Sequence, residues 1–367
     1  MTRLRDALAE LAEQAPAGRP GVSLAHAAIA RHRRRRRGRV TLAAVAAAAA
    51  VLADGGVSAL RPTAAHPASP ARQAEVIDLP DGPVGVISHS YRVPCAYDHA
   101  AQKADCDVAE LRVVTVSGKT YKVAQALLHG SNERPTPVAI SRDGRLFAYY
   151  RADAGTFVVR DLVKGGERAA PVRIEPSRIG VGAMLALSDD GRYLVFDPRE
   201  GSKQDATMID VIGGRTTPIP GVYEVISIRG DVAELIRYRK TDLWLRPFAG
   251  GGKPVRFKGP HIMFSELAPD GRTVAATRFP EHTKNLLTIL DVKTGRSLRK
   301  VPIRGLPRGS RLTAVTTWAS PSEVLIVAGG KQDHAAYAVD VRSGQARHVR
   351  DFRQQLWVGL PGVTSTG

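Results

Sequence analysis

The chain has 367 residues, 43% of them hydrophobic, which excludes wholesale disorder and admits two or three domains or one large all-β domain. Aromatics make up only 5%, whereas Gly (35) and Pro (24) abound, a balance that favours many short elements joined by turns over long helices. The formal charge of +18 points to nucleic acid only until it is divided along the chain. Residues 1–39 hold ten Arg and three acids, residues 40–60 carry Asp54 alone, and residues 61–367 spread the remaining +12 thinly.

In residues 1–39, Thr2 caps a helical pattern of Leu4, Ala7, Leu8, Leu11 and Ala12 that Pro16, Gly18, Pro20 and Gly21 interrupt. Ser23 caps a second, with Leu24, Ala27, Ala28 and Ile29, running into the basic block Arg33, Arg34, Arg35, Arg36, Arg37 and Arg39. A segment this short cannot build its own core. It reads as a helical cytoplasmic tail lying near anionic lipid, or as a docking helix for a cytoplasmic partner.

Residues 40–53 are uncharged and mostly Ala, and residues 55–60 prolong the stretch beyond Asp54 to 21 positions. A spanning helix needs roughly 20 apolar residues. An Arg block directly before such a stretch holds the N-terminus in the cytoplasm, so Arg33–Arg39 act as a topology signal for a single transmembrane helix over 40–60. Two other readings stay open. Val51, Leu52 and Ala53 suit signal-peptidase cleavage, although the segment before them is long for a signal. The stretch also suits an Ala-rich helix of a soluble protein. Residues 61–79 are Pro- and Ala-rich and read as a spacer that lifts a domain off the membrane.

Residues 80–360 form one domain built on an internal repeat. Its clearest element is strand, tight turn, strand, with turn glycines Gly118, Gly165, Gly213, Gly251, Gly295 and Gly344 at intervals of 47, 48, 38, 44 and 49. A second element precedes it. Ser141-Arg142-Asp143-Gly144, Ser188-Asp189-Asp190-Gly191 and Pro269-Asp270-Gly271 are Asp-Gly turns, read as hairpin turns with both central residues at positive φ. Arg229-Gly230-Asp231 and Ser320-Pro321-Ser322 are degraded copies. The strands after them are expected at 146–150, 193–196, 232–236, 273–277 and 323–327. Each unit therefore carries four antiparallel strands, the make-up of a propeller blade. Stacked in a ring, each blade buries the faces of its neighbours, which a β-sandwich would not do at six near-equal periods. Six blades are expected; a seventh arises if residues 74–79 and 354–360 pair, and otherwise one of these segments closes the ring.

The Ser/Pro-Asp-Gly-Arg turn, the apolar strand after it and the later Leu-x-x-x-Asp-x-x-Thr/Ser-Gly run resemble the WD40-like and TolB-like propeller repeats of bacterial envelope proteins. The resemblance covers residues 80–353, and no blade ends in Trp-Asp. The whole layout resembles actinobacterial membrane-anchored propeller proteins with an Arg-rich cytoplasmic tail. That resemblance implies the fold and leaves the function open.

Cys95 and Cys106 lie in the first blade, after a strand expected at 84–88 and before the strand at Leu111, and outside the membrane such a pair reads as a disulfide. Free thiols, or a metal held with Asp98 and His99, are the alternatives, although the spacing is not a usual zinc pattern. The chain has no Gly-x-Ser-x-Gly elbow, no His-Glu-x-x-His and no complete phosphate loop. No catalytic, cofactor or metal residue is assigned. His89, His99 and His129 could reach a propeller rim but read as satisfied loop histidines. Trp244, Trp318 and Trp357 read as core.

The expectation is a membrane-anchored, extracytoplasmic, non-enzymatic binding module for a protein or an anionic envelope ligand, without cofactor, possessing a tail able to relay to the cytoplasm. A hydrolase or lyase with its site in the propeller channel is the alternative. Nucleic acid fits only if residues 40–60 do not insert.

Overall fold

In a computed structural model the described residues are 76–98, 103–130, 135–198, 204–279, 281–330, 334–352 and 355–366. The tail, the apolar stretch, most of the spacer and the six topology arginines Arg33–Arg37 and Arg39 lie outside them. Among the described residues no helix is long and apolar enough to cross a membrane.

Among the described residues six antiparallel sheets of four or five strands follow one another, and sequence neighbours pair within each except at the innermost edges of blades 1 and 3. Blade 2 is Ala139–Ile140, Leu146–Arg151, Thr156–Asp161 and Glu167–Ala169, from the channel outwards. Blade 3 is Met184–Leu187, Tyr193–Asp197, Ala206–Asp210 and Thr216–Ile219; blade 4 is Glu224–Arg229, Val232–Arg237, Asp242–Pro247 and Val255–Arg256. Blade 5 is His261–Phe264, Thr273–Arg278, Leu286–Asp291 and Ser297–Pro302; blade 6 is Arg311–Ser320, Glu323–Gly329, His334–Asp340 and Ala346–Asp351. Blade 1 is composite: its innermost strand, Leu356–Gly359, comes from the far end of the domain and pairs with Ile87–Val93, followed by Glu110–Thr115 and Thr120–Lys122. The domain is thus a six-bladed, all-β propeller. Leu356–Gly359, within the expected 354–360, supplies the closing strand, whereas Asp78 only bridges to Lys122 at the outer edge of blade 1, so no seventh blade forms among the described residues.

Burial follows from this stacking. The second strands of blades 2 to 5 are buried on both faces, Tyr193–Asp197 throughout, whereas Glu323–Gly329 of blade 6 alternates buried with half-buried residues. Outer strands face solvent, and Ser297–Pro302 buries only Val301. One apolar cluster fills the gap between blades 2 and 3, where the Phe157 and Phe196 rings stand 5.0 Å apart, and like clusters lie between the other consecutive pairs from blade 1 to blade 6. Between blades 6 and 1 the contact is partly polar: Arg350 Nη1 is 3.0 Å from His89 Nδ1, and Phe352 meets the His89 ring edge-on.

The repeat motif has a local cause. In blades 2, 3, 5 and 6 the third strand ends in an Asp that turns its carboxylate onto the backbone N–H groups that follow: Asp291 accepts from Lys293 and Thr294, Asp340 from Arg342 and Ser343, and Asp161 from Val163 and Lys164. These bonds, led by that from Thr294, and the guanidinium of Arg272 push the Asp291 carboxyl down to about 2. The glycine four residues after the Asp returns its N–H to the Asp carbonyl at positive φ. In the third copy that residue is Gly214 (φ 71°) and not Gly213, whose place beside the Asp210 carboxylate has room for no Cβ.

The Asp-Gly turns also differ from expectation. Only the glycine takes positive φ, and Gly144 N–H returns to the Ser141 carbonyl at 2.8 Å. Asp143 stays out of the left-handed region because its carboxylate accepts from Ser141 Oγ and from Arg145 N–H, which holds a right-handed turn ahead of the glycine. The five strands after the turns fall within two residues of the expected bounds. The first-blade strand lies at Ile87–Val93 instead of 84–88.

Cys95 and Cys106 are joined in a disulfide with Cα atoms 4.2 Å apart. It closes the hairpin Ala96–Asp98/Lys103–Asp105, which is appended to blade 1 and pairs with no other described strand. Both thiols are consumed, which removes the metal alternative.

Candidate functional site

The inner strands of the blades surround a channel. Near the starts of these strands it widens into a cavity of about 310 Å³. Met184, Val225, Ile226, Met263 and Phe264 give it apolar walls, while Glu224, Glu266 and Tyr238 supply polar groups. Inner strands of blades 3, 4, 5 and 6 all contribute.

The chain itself crosses the channel. After the closing strand, Pro361 bridges to Ile140 of blade 2, and Gly362 N–H donates to the Ile140 carbonyl at 2.8 Å. The Thr364 hydroxyl donates to the Ile226 carbonyl of blade 4. Ser365–Thr366 then pairs antiparallel with Leu185 and Met184, adding a fifth, innermost strand to blade 3. Gly362, Val363 and Thr364 border the larger cavity on one side and, on the other, a small void lined by Arg142, Asp189 and Ser227.

At and beyond that void is a knot of charged groups drawn from blades 2 to 5, tied to Trp318 of blade 6. Arg142, in the first turn of blade 2, donates its backbone N–H to Asp189 of blade 3 at 3.0 Å and places Nη1 3.5 Å from the same carboxylate. Its Nη2 donates to Glu266 Oε2, just after the inner strand of blade 5. Glu266 Oε1 accepts from Trp318 N–H of blade 6 at 3.0 Å, and Trp318 Nε1 donates back to Ser265 Oγ and the Glu266 carbonyl. Blade 4 adds Glu234, whose Oε2 accepts from Leu267 N–H at 2.8 Å, and Arg229, whose Nη1 donates to the Leu267 and Ala268 carbonyls.

Burial raises the Glu266 carboxyl, and Arg142 opposes that rise. Glu234 is 1% exposed, and burial, then the neighbouring Glu266, pushes it up to about 7. The folded chain therefore holds this proton more tightly than the unfolded chain, whose ordinary Glu value is 4.5. Stability falls as pH rises from that value to about 7. We expect Glu234→Gln to melt a few °C above the parent chain at pH 8 and level with it near pH 4.5, as read by parallel thermal melts across pH.

Of the residues singled out from sequence, Cys95 and Cys106 line neither channel void. His89 lies on a strand and not in a loop. It is buried beside Arg350 and pushed down to about 4, by burial first, so it is neutral at pH 7. His129 bridges to Pro135, and His99 lies outside the described residues. Trp318 is core, Trp244 is half-buried against Tyr223, and the Trp357 side chain lies outside the description. Glu234, Glu266 and the channel-crossing segment were not singled out from sequence. Arg142 and Asp189 had appeared only as members of turns.

No family model matches the chain, and no curated protein matches it. Solved structures similar to it include TolB from Acinetobacter baumannii, at 15% identity over 75% of this chain and 65% of that one, with TM-score 0.49. The β-propeller domain of Swd1 from Myceliophteria thermophila is similar at 17% identity over 60% of this chain and 72% of that one, with TM-score 0.39. Virginiamycin B lyase from Staphylococcus aureus, solved with quinupristin, is similar at 13% identity over 60% and 70%, with TM-score 0.40. The chain spans about two thirds of the TolB chain's length. These likenesses concern the propeller architecture and single out neither the TolB-like nor the WD40-like family.

Proposed function

We propose that this chain is a binding module of the cell envelope: a propeller anchored by residues 40–60, facing away from the cytoplasm, that takes a protein or an anionic ligand at the channel mouth. The observation that carries the binding reading is the cavity of about 310 Å³ on the propeller axis, built by four blades and walled mainly by apolar side chains. The disulfide supports an oxidising compartment. The exposed Arg296, Arg299, Lys300, Arg304 and Arg308, on and beside the outer strand of blade 5, support contact with anionic envelope material.

The alternative, a hydrolase or lyase in the channel, draws on Glu234, a carboxyl poised near neutrality. Yet Glu234 lines neither channel void and has one oxygen committed to Leu267 N–H, and its neighbour Glu266 is committed to Arg142 and Trp318. Groups held this way suit a structural role better than proton transfer to a ligand.

The test is a photo-crosslinking amino acid at Ile262 on the cavity wall, compared with one at Leu298 on the exposed outer strand, in intact cells. Protease treatment of spheroplasts runs beside it. The reading expects a discrete adduct from position 262 only, and loss of the propeller to external protease. Protection of the propeller, or no adduct from position 262, would overturn it.

A further inference from the structure

The segment that crosses the channel is held as a ligand is held. Its contacts to blades 2, 3 and 4 are made through main-chain groups or one hydroxyl: Gly362 to Ile140, Thr364 to Ile226, and Ser365–Thr366 to the edge of Met184–Leu187. Pairing an extended chain with an open strand edge is a general mode of peptide recognition, in which main-chain bonds give affinity and adjoining pockets give selectivity. Here the edge belongs to the innermost strand of blade 3, where a four-stranded blade ends. Residues 360–366 read Leu-Pro-Gly-Val-Thr-Ser-Thr, without a charge. They leave the cavity of about 310 Å³ beside Val363 and Thr364 unfilled.

From these contacts we infer that the channel edge of Met184–Leu187 is a binding site for an extended, uncharged peptide with an apolar side chain facing the cavity, and that the chain's own residues 361–366 fill this site as a tethered competitor. The inference deepens the proposed function and rests on it for the location of the site.

Two features make the segment separable from the fold. Its hold is a few hydrogen bonds, whereas ring closure is made by Leu356–Gly359 before it, so the segment belongs to the least stable part of the domain. Gly362 fixes its path. At φ 71° an added Cβ would stand 2.8 Å from Thr317 Cγ2 and 3.4 Å from Arg142 Cβ, so Gly362→Val combines backbone strain with a clash against blades 2 and 6. A tethered ligand competes at an effective concentration in the millimolar range, enough to mask a weaker free peptide.

The experiment uses three chains: residues 1–367, the same chain ending at Leu360, and full-length Gly362→Val. The probe is a synthetic peptide of residues 360–367 with a fluorophore at its N-terminus, read by anisotropy. The chain ending at Leu360 is expected to bind it saturably, and the full-length chain at least tenfold more weakly. Gly362→Val is expected to approach the shortened chain. A probe carrying Phe in place of Val363 is expected to bind the shortened chain several-fold more tightly, because it fills the cavity. Thermal melts establish that each chain is folded. If the shortened chain melts cooperatively and does not bind the probe, or if the full-length chain binds it equally well, the inference is overturned. The cellular crosslink at position 262 reads the proposed function separately and stands or falls without the peptide.

Discussion

A chain ending at Gln355 is expected to lose its cooperative thermal transition, while the chain ending at Leu360 keeps it. The difference is the strand Leu356–Gly359, which pairs Gly359 with Ser90 and Leu356 with Arg92. Its removal strips the inner hydrogen bonds from Ile87–Val93, where His89, Ser90 and Arg92 are all buried. Arg92 is held there through the Leu128 and Thr136 carbonyls, so blade 1 and the loop leading into blade 2 are disturbed together. Buried backbone groups left without partners cost about 1–3 kcal/mol each. Several of them, added to an opened ring, amount to most of the 5–15 kcal/mol that holds a typical domain together. The measurement is circular dichroism against temperature on both shortened chains. A point variant checks the mechanism. An added Cβ at Gly359 would stand 2.5 Å from Ser90 Oγ and 3.4 Å from Val138 Cγ2, so Gly359→Val should lower the melting temperature in the same direction by a smaller amount. If the chain ending at Gln355 melts cooperatively within a few °C of the full chain, ring closure is not the source of the stability.

How much of this was legible in the sequence depends on how local each cause is. Asp-Gly turns and the Asp that caps the third-strand turn act within five residues, so the repeat, the blade count and five second strands could be read directly. Turn geometry was less legible: the Asp143 carboxylate, bonded to Ser141 Oγ and Arg145 N–H, overrides the two-residue pattern that Asp-Gly suggests. Leu356–Gly359 has four residues and no repeat motif, and its partner lies at the other end of the domain. Only the arithmetic of ring closure pointed to it. Glu234 was visible as a lone carboxylate among Val232, Ala233, Leu235 and Ile236, yet nothing nearby showed that its partner would be the backbone of the next blade. The channel-crossing segment has turn-like composition, and its strand partner, Met184–Leu187, lies in the third blade. What the sequence conceals here is contact between blades; what it displays is chemistry within each of them.

Replacement of Glu266 by Ala is expected to cost about 3 kcal/mol of unfolding free energy at pH 7, and Glu266→Gln about 1–2 kcal/mol. The carboxylate has two separate duties. One oxygen accepts from the Trp318 backbone N–H, which is buried and has no water to turn to when the acceptor is removed. The other takes the Arg142 guanidinium, whose side chain remains 27% exposed and is therefore partly screened. Ala loses both partners and leaves a void beside the Trp318 ring, which packs in the cluster between blades 5 and 6. Gln keeps an acceptor for Trp318 N–H and loses the charge attraction to Arg142. Removing the negative charge also lifts the repulsion that helps hold Glu234 near 7. In Glu266→Gln the Glu234 carboxyl should therefore titrate lower, and part of the pH dependence of stability between 4.5 and 7 should shrink. Arg142→Met tests the other end of the pair. It leaves the buried Glu266 carboxylate with Trp318 N–H and the charge of Arg229 only, so it should destabilise at high pH and recover as the carboxyl takes up a proton. Urea unfolding of the three variants at pH 5 and pH 8 separates these cases, since the midpoint should move with little change in slope. Because Glu266, Arg142, Asp189, Glu234 and Trp318 come from five blades, the variants should unfold the ring as one unit instead of releasing a single blade. Equal midpoints for Glu266→Ala and the parent chain at both pH values would show that the apolar clusters alone hold the blades in place.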